Sequence, residues 1–201
     1  MLVQKKERFI SKILLLIFFK KSEQDNPADG LQPPLIYTLN AISQKGADMS
    51  DQWLGVVVSG TKVNFVHLEC KNDEPKLISQ FTWPLQDGDK SAAYALFFER
   101  TRDYVSENKI KNTVIKASSV GLEKVKLGHL HSAELRGIVC VAAQMGGANV
   151  ILVQKATISR TFGKRKADDY VKDDGFWNEQ IEGDIAKTRR EAALLILSQR
   201  E

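Results

Sequence analysis

Residues 53–69 read Trp53-Leu54-Gly55-Val56-Val57-Val58-Ser59-Gly60-Thr61 and then KVNFVHLE over Lys62–Glu69. The first six are a continuous apolar run, rich in β-branched side chains and closed by a turn signal. That pattern predicts a strand buried on both faces. Ser59-Gly60-Thr61 is short enough to be a hairpin turn into a second strand over Lys62–Glu69. Asn72-Asp73-Glu74-Pro75 is another turn, so Lys76–Trp83 (KLISQFTW) is expected to be a third strand, with Leu77, Phe81 and Trp83 on one face.

Beyond Pro84–Asp89 the apolar period changes. Tyr94, Phe97, Phe98, Thr101 and Val105 recur at helical spacing, which predicts an amphipathic helix over Ser91–Ser106. Asn112–Lys116 (NTVIK) predicts a short fourth strand. His131–Gln144 predicts a second helix with Leu135, Ile138, Val139 and Ala142 turned inward, and Gly146-Gly147 follow it as glycines commonly follow helix ends. Asn149–Gln154 (NVILVQ) predicts a fifth, apolar strand. Asp184–Gln199 predicts a last helix that buries Ile185, Ala192, Leu195 and Ile196. The order is therefore β-β-β-α-β-α-β-α. Three antiparallel strands come first, then two strands entered by helical crossovers and so parallel to their neighbours. The fold class this implies is α/β: a mixed five-stranded sheet with helices on both faces.

The chain has 201 residues, 43% of them hydrophobic and 27% charged, which is the balance of a soluble globular domain. Its formal net charge of +4 is split evenly, +2 in residues 1–48 and +2 in the rest. Such a charge permits nucleic-acid contact without demanding it. Two cysteines make no disulfide framework, and Cys140, inside the apolar run Gly137–Val141, is expected to be a buried, inert thiol.

Residues 1–48 read as an N-terminal extension to a domain over 49–201. Ile10–Phe19 (ISKILLLIFF) follows Lys5, Lys6 and Arg8, as in a secretory signal. Yet the run contains Lys12, is followed at once by Lys20-Lys21, lacks a small-x-small cleavage site, and is about half the ~20 residues that a membrane span needs. An interfacial anchor helix is the alternative. Ser22–Asp48, with Pro27, Gly30, Pro33 and Pro34, has the composition of a linker. Met49 stands directly before the first strand and reads as an alternative start. No stable membrane insertion is expected, and the expected location is the cytoplasm.

The strand order resembles that of the ribonuclease-H-like superfamily, which includes Holliday-junction resolvases and transposases. Gly55-Val56-Val57-Val58-Ser59-Gly60 is similar to that superfamily's first strand and turn, and Val114-Ile115-Lys116-Ala117 to its fourth strand. Glu134–Ala143, Asn149–Val153 and Ala156-Thr157-Ile158 resemble the helix-strand-helix half of the resolvases. The resemblance spans roughly residues 53–199 and is closest to a small uncharacterised bacterial family. It implies a site with one acid in the first strand, one at the end of the fourth and one or two on the last helix. Those acids hold two divalent metals, which need carboxylate oxygens.

This sequence departs from that pattern. The first-strand position falls on Val57, and the fourth-strand position on Lys116 or Ala117. A lysine there repels a metal. On the last helix Glu191 matches the final acid, and Asp184 is expected two turns earlier on the same face. Lys187 lies three residues after Asp184 and four before Glu191, so an exposed ion-pair ladder is the favoured reading of these acids. Asp168, Asp169, Asp173 and Asp174 are expected to be a solvated face around a turn at Gly175. The resulting expectation is no catalytic acids and no cofactor or metal, with Mg²⁺ required only for a divergent nuclease using Asp184 and Glu191.

The densest basic segment, Arg160-Thr161-Phe162-Gly163-Lys164-Arg165-Lys166, offers charge for phosphates and an aromatic ring for a base. Arg160, Lys164, Arg165 and Lys166 are the candidate nucleic-acid contacts, against a plain solvated turn. Arg189-Arg190 and Lys124 with Lys126 are candidates to extend the patch. His129, His131 and Glu134 have a metal-site spacing, but His131 or Ser132 is expected to serve a helix terminus instead. His67 reads as a satisfied strand histidine. Gly55 and Gly60 lack the Lys-Ser/Thr of a phosphate-cradling loop, and Ser118-Ser119 lack a nucleophile-elbow setting. The expected function is a non-catalytic module that binds nucleic acid or a nucleoprotein partner. A protein-interaction or scaffold domain, including a homodimer, is the alternative, and a divergent Mg²⁺-dependent nuclease the second.

Overall fold

The computed structural model describes residues 50–72, 74–118, 126–163 and 165–200. Residues 1–49, and with them the Ile10–Phe19 segment, lie outside these, as do Ser119, Lys124 and Lys164. Among the described residues no helix is long and apolar enough to cross a membrane.

Three strands form the meander that the sequence predicts: β1 (Asp51–Ser59), β2 (Lys62–Lys71) and β3 (Glu74–Pro84), each antiparallel to the next. Helix α1 (Lys90–Glu107) leads to β4 (Asn112–Lys116), and α2 (Leu127–Met145) to β5 (Asn149–Val153). Asp89 starts α1 by accepting a hydrogen bond from the amide of Ala92 at 2.9 Å. β4 pairs with β1 and β5 with β4, both in parallel, giving the order β3-β2-β1-β4-β5. Three short helices follow: α3 (Lys155–Thr161), α4 (Ala167–Lys172) and α5 (Asp174–Gln180). The chain ends on a 3₁₀ turn (Lys187–Arg189) and α6 (Arg190–Leu197).

The alternation of strand side chains divides the core in two. Leu54, Val56, Val58, Val63, Phe65 and Ile115 point to one face, where α1 and α2 cover them with Phe97, Val105, Leu135 and Val139. Val57, Val66, Leu68, Val114 and Val153 point to the other, where Ile158, Tyr170, Trp177 and all of α6 from Ala192 to Leu197 close over them. Gly55 explains how α6 comes so close. A Cβ there would sit 2.0 Å from the carbonyl oxygen of Ala192. The helix backbone rests directly on the strand backbone, so only glycine fits in this otherwise β-branched run.

Several sequence expectations are corrected. Leu77 does not share a face with Phe81 and Trp83. The β2–β3 register shifts between His67, opposite Ser79, and Leu68, opposite Leu77. Ile78 is thus an extra residue, and the bulge turns Leu77 to the α6 side. The last helix begins at Arg190, not at Asp184. Residues 184–186 are instead drawn to β3, where Gln80 donates to the carbonyl of Asp184 at 2.8 Å and accepts from the amide of Ala186 at 3.0 Å. Glu182 likewise bonds to β3, accepting from the amide of Leu77 at 2.9 Å and donating to the carbonyl of Pro75 at 3.0 Å. These contacts cover one edge of the sheet. Gly175 lies inside α5 rather than in a turn, because the side chain of Asp173 caps that helix by accepting from the amide of Phe176. Finally, β5 is an edge strand with Leu152 exposed, and Cys140 is half-buried rather than buried.

Candidate nucleic-acid interface

The parallel strands β1, β4 and β5 end side by side. Val56 of β1 lies opposite Ile115 of β4, so Val57 falls next to Lys116, one residue further on. Both side chains take the α6 face, since each alternates with a neighbour that points to α1 and α2. Glu191, in the first turn of α6, reaches down to this point. Its Oε1 lies 2.7 Å from Nζ of Lys116, and the two side chains are only 22% and 27% exposed. The contact is an ion pair without an aligned hydrogen bond, because Glu191 Oε1 is buried and lacks a partner of good geometry. The ammonium charge is what compensates the carboxylate there. The three positions Val57, Lys116 and Glu191 are thus brought together, two of them as a cation–anion pair.

The predicted ladder of Asp184, Lys187 and Glu191 does not form. Glu191 pairs with Lys116, and Lys187 pairs with Asp174 at 3.2 Å. Asp184 stands at β3, three strands away from β4 and so roughly 14 Å from it at normal strand spacing. Asp184 and Glu191 therefore cannot share one metal ion. Ala117 continues β4, its amide donating to the carbonyl of Val153 at 2.8 Å.

A second pair adjoins the first, and sequence reasoning missed it. Lys155, at the start of α3 just after β5, pairs with Asp168 on α4. The hydrogen bond from Lys155 holds the Asp168 carboxyl below its ordinary range, with further pull from the charges of Lys155, Lys172 and Lys116. Lys116 thus acts on two carboxylates. The helical start of α3 was the available signal: it places Lys155 at the mouth of the sheet, two residues past the end of β5. Asp169, Asp173 and Asp174 are used structurally, as a cap on the amide of Lys166 and as partners of Arg165 and of Arg190.

The basic segment divides in the same way. Arg160 and Lys166 are exposed, and among the described residues the Arg160 guanidinium makes a long 3.5 Å bond to Thr157. Arg165 is held: it pairs with Asp173 at 2.8 Å, bonds to the carbonyl of Asp169, and lies 4.7 Å from the centre of the Tyr170 ring. Lys164 lies outside the described residues. Arg190 does not extend the patch. It is buried, pairs with Asp174 at 2.6 Å, and donates to the carbonyls of Ile185 and Val171, so it clamps α4 and α5 to α6. Arg189 has a buried Nε without a partner, while Lys126 is exposed at the start of α2.

His129 and His131 both lie on the first turns of α2, and neither caps it. Ser132 serves a different purpose, accepting from the amide of Gly60 at 2.7 Å and so tying the β1–β2 turn to the helix. Glu134 is taken by Lys90 and by the hydroxyl of Tyr94. Among the described residues no group of three or more His, Cys, Asp or Glu is placed to hold a metal ion. His67 is the satisfied strand histidine that the sequence predicts, bonded to Gln52 and Tyr104.

No protein-family model matches the chain, and no curated protein matches it in sequence. Solved structures do. The RuvC structure from Thermus thermophilus superposes with a TM-score of 0.57 at 10% identity, over 73% of this chain and 92% of that one. The fold is ribonuclease-H-like and resolvase-like. The same RuvC in complex with a Holliday junction substrate gives a TM-score of 0.57 at 11% identity, over 73% and 91% of the two chains. The yeast mitochondrial Holliday junction resolvase gives 0.53 at 10% identity, over 74% and 78%. In this ribonuclease-H-like frame, the positions that the sequence resemblance assigns to metal-binding acids are those occupied by Val57, the Lys116–Glu191 pair and Ala117. The local chemistry is that of a self-neutralised charge cluster.

Proposed function

We propose that this chain is a non-catalytic ribonuclease-H-like module that binds nucleic acid or a nucleoprotein complex at the end of the sheet where β4 and β5 finish. One observation carries the reading. The ammonium of Lys116 sits 2.7 Å from Glu191, beside Val57, where a two-metal enzyme of this fold needs carboxylates around cations. A lysine in that place supplies positive charge without an exchangeable metal, so it attracts a phosphate but activates no water. Arg160, Lys164, Arg165 and Lys166 are assigned to further phosphate contacts, with Arg165 already oriented by Asp173 and Tyr170. The likeness to a resolvase solved with a Holliday junction supports nucleic acid as the partner.

A protein-interaction domain is the second reading. Leu127, Leu130, Val141 and Met145 form an exposed apolar stripe along α2, each more than half exposed. Stripes of this kind mark association surfaces, a second copy of the chain among the occupants.

The test incubates the full chain with branched, duplex and single-stranded nucleic acid in Mg²⁺ or Mn²⁺. The expected outcome is binding that weakens steeply with salt, persists in a chelator, and leaves every strand intact. Strand cleavage abolished by Glu191→Gln overturns the non-catalytic reading and revives the metal-dependent nuclease. Absence of binding to all three forms turns the assignment to the interaction domain.

A further inference from the structure

Arg136 is half-buried and, like Arg189, joins no ion pair among the described residues, unlike buried Arg190 and exposed Arg165. Arg190 pairs with Asp174 and Arg165 with Asp173, whereas no described carboxylate pairs with Arg136. It stands on α2 beside the end of β4, and its Nη1 donates to the hydroxyl of Ser118. Its Nε is buried and has no hydrogen-bond partner. The nearest titratable neighbour one turn on is Cys140, whose thiol burial pushes up and so keeps neutral. Burial in turn pulls the Arg136 guanidinium below its usual range, as happens where no counter-charge compensates it.

A half-buried guanidinium with an unmade hydrogen bond and no described counter-ion is costly to the fold. The packing does not explain it, because Leu135 and Val139 on the same helix already fill the core. What the arrangement suits is an anion. The guanidinium fork retains donors that no described acceptor takes, and it is planar and rigid. The Ser118 hydroxyl accepts from Nη1 and keeps its own proton to donate outward, and Ser118 is exposed. An oxyanion with several acceptor oxygens can bridge the two groups, which a single carbonyl cannot.

We propose that Arg136 and Ser118 form a phosphate-binding subsite at the end of β4, which takes a phosphodiester of a bound nucleic acid. The identification of that phosphate as nucleic acid rests on the function proposed above; the anion subsite does not. Ser118 lies two residues past Lys116, so the subsite and the charge cluster share the end of β4, the one served from α2 and the other from α6.

The experiment uses the full chain and two probes, inorganic phosphate and a short single-stranded oligonucleotide. The Arg136 Nε–H signal is followed by ¹⁵N NMR, assigned by its loss in Arg136→Lys. The expected result is a saturable shift with both probes. Arg136→Gln is expected to lower oligonucleotide affinity about tenfold and the salt slope by about 1. Arg136→Lys keeps the slope but loses affinity with the fork, and Ser118→Ala weakens binding less. Should Arg136→Gln fail to fold, the NMR shift and the lysine variant carry the decision. A shift with phosphate but no oligonucleotide binding overturns the nucleic-acid reading and leaves the subsite standing. Oligonucleotide binding of equal strength and slope in wild type and Arg136→Gln, with an unmoved Nε–H signal, overturns the subsite and leaves the function standing. An unmoved signal and no oligonucleotide binding overturn both.

Discussion

The two faces of the sheet are made from the same five strands and are finished differently. Toward α1 and α2 the filling is aromatic, with Phe65 centred 5.0 Å from Phe81, 4.8 Å from Trp83 and 6.4 Å from Phe97. Its buried hydroxyls of Thr101 and Thr113 have no hydrogen-bond partner, but its central polar network is uncharged and matched. His67 bonds to Gln52 through Nε2 at 2.8 Å and to the Tyr104 hydroxyl through Nδ1 at 3.1 Å, and that hydroxyl meets Ser79 at 2.7 Å. Toward α6 the filling is aliphatic around Trp177, and its rim at the strand ends carries full charges: Lys116, Glu191, Lys155 and Asp168. Neutral networks satisfy a buried polar atom cheaply, whereas half-buried ion pairs roughly break even. The charged rim is thus not what the fold needs to be stable, and that contrast is why the site is placed on the α6 side.

The sharpest way to break the comparison is at the contact of α6 with β1. Gly55→Ala puts a Cβ 2.0 Å from the Ala192 carbonyl, so α6 must lift off the strand. We expect a loss of about 3 kcal/mol or more in urea unfolding. An unchanged midpoint would mean that the helix does not rest on the strand.

The ion pair is a smaller and more informative target. Lys116→Met leaves Glu191 half-buried without its cation, with an expected cost of about 1–2 kcal/mol after allowance for partial solvent screening. Adding Glu191→Leu removes the stranded charge and recovers most of that loss. A double-mutant cycle should therefore show coupling of about 1 kcal/mol, and simple additivity would show that the two side chains do not interact.

The smallest expected effect belongs to the neutral face and follows pH. Burial lowers the pKa of His67 below its ordinary 6.5, and the charge of Glu69 only partly opposes this. As pH falls through about 6.5 the unfolded chain takes up a proton that the folded chain refuses, so stability declines with acid until the folded value is passed. Unfolding midpoints measured from pH 8 to pH 5 should show this decline in the wild type and a flatter profile in His67→Gln. Equal slopes would place the titration on other groups.

Much of the fold was legible because it is local. Period-2 and helical-period patterns with turn residues between them gave the three-strand meander, the two crossovers and the bounds of β4 at Asn112–Lys116. The misses all trace to contacts distant in sequence. The bulge at Ile78 flips Leu77 with no turn residue to announce it. Asp184 and Ala186 look like the first turn of a helix until Gln80, on another strand, takes their backbone groups. Arg190, read as surface charge, is buried because Asp174 and two carbonyls on separate segments surround it.

The candidate site divides along the same line. That Val57 and Lys116 each lie on a strand could be read from the chain alone, since strand identity and side-chain alternation are properties of short stretches. Which carboxylate answers Lys116 could not, because Glu191 is 75 positions further along and Lys187 was the nearer cation in sequence. Pairing of charges depends on distance in space, and only the docking of α6 on Gly55 brings those two side chains to 2.7 Å.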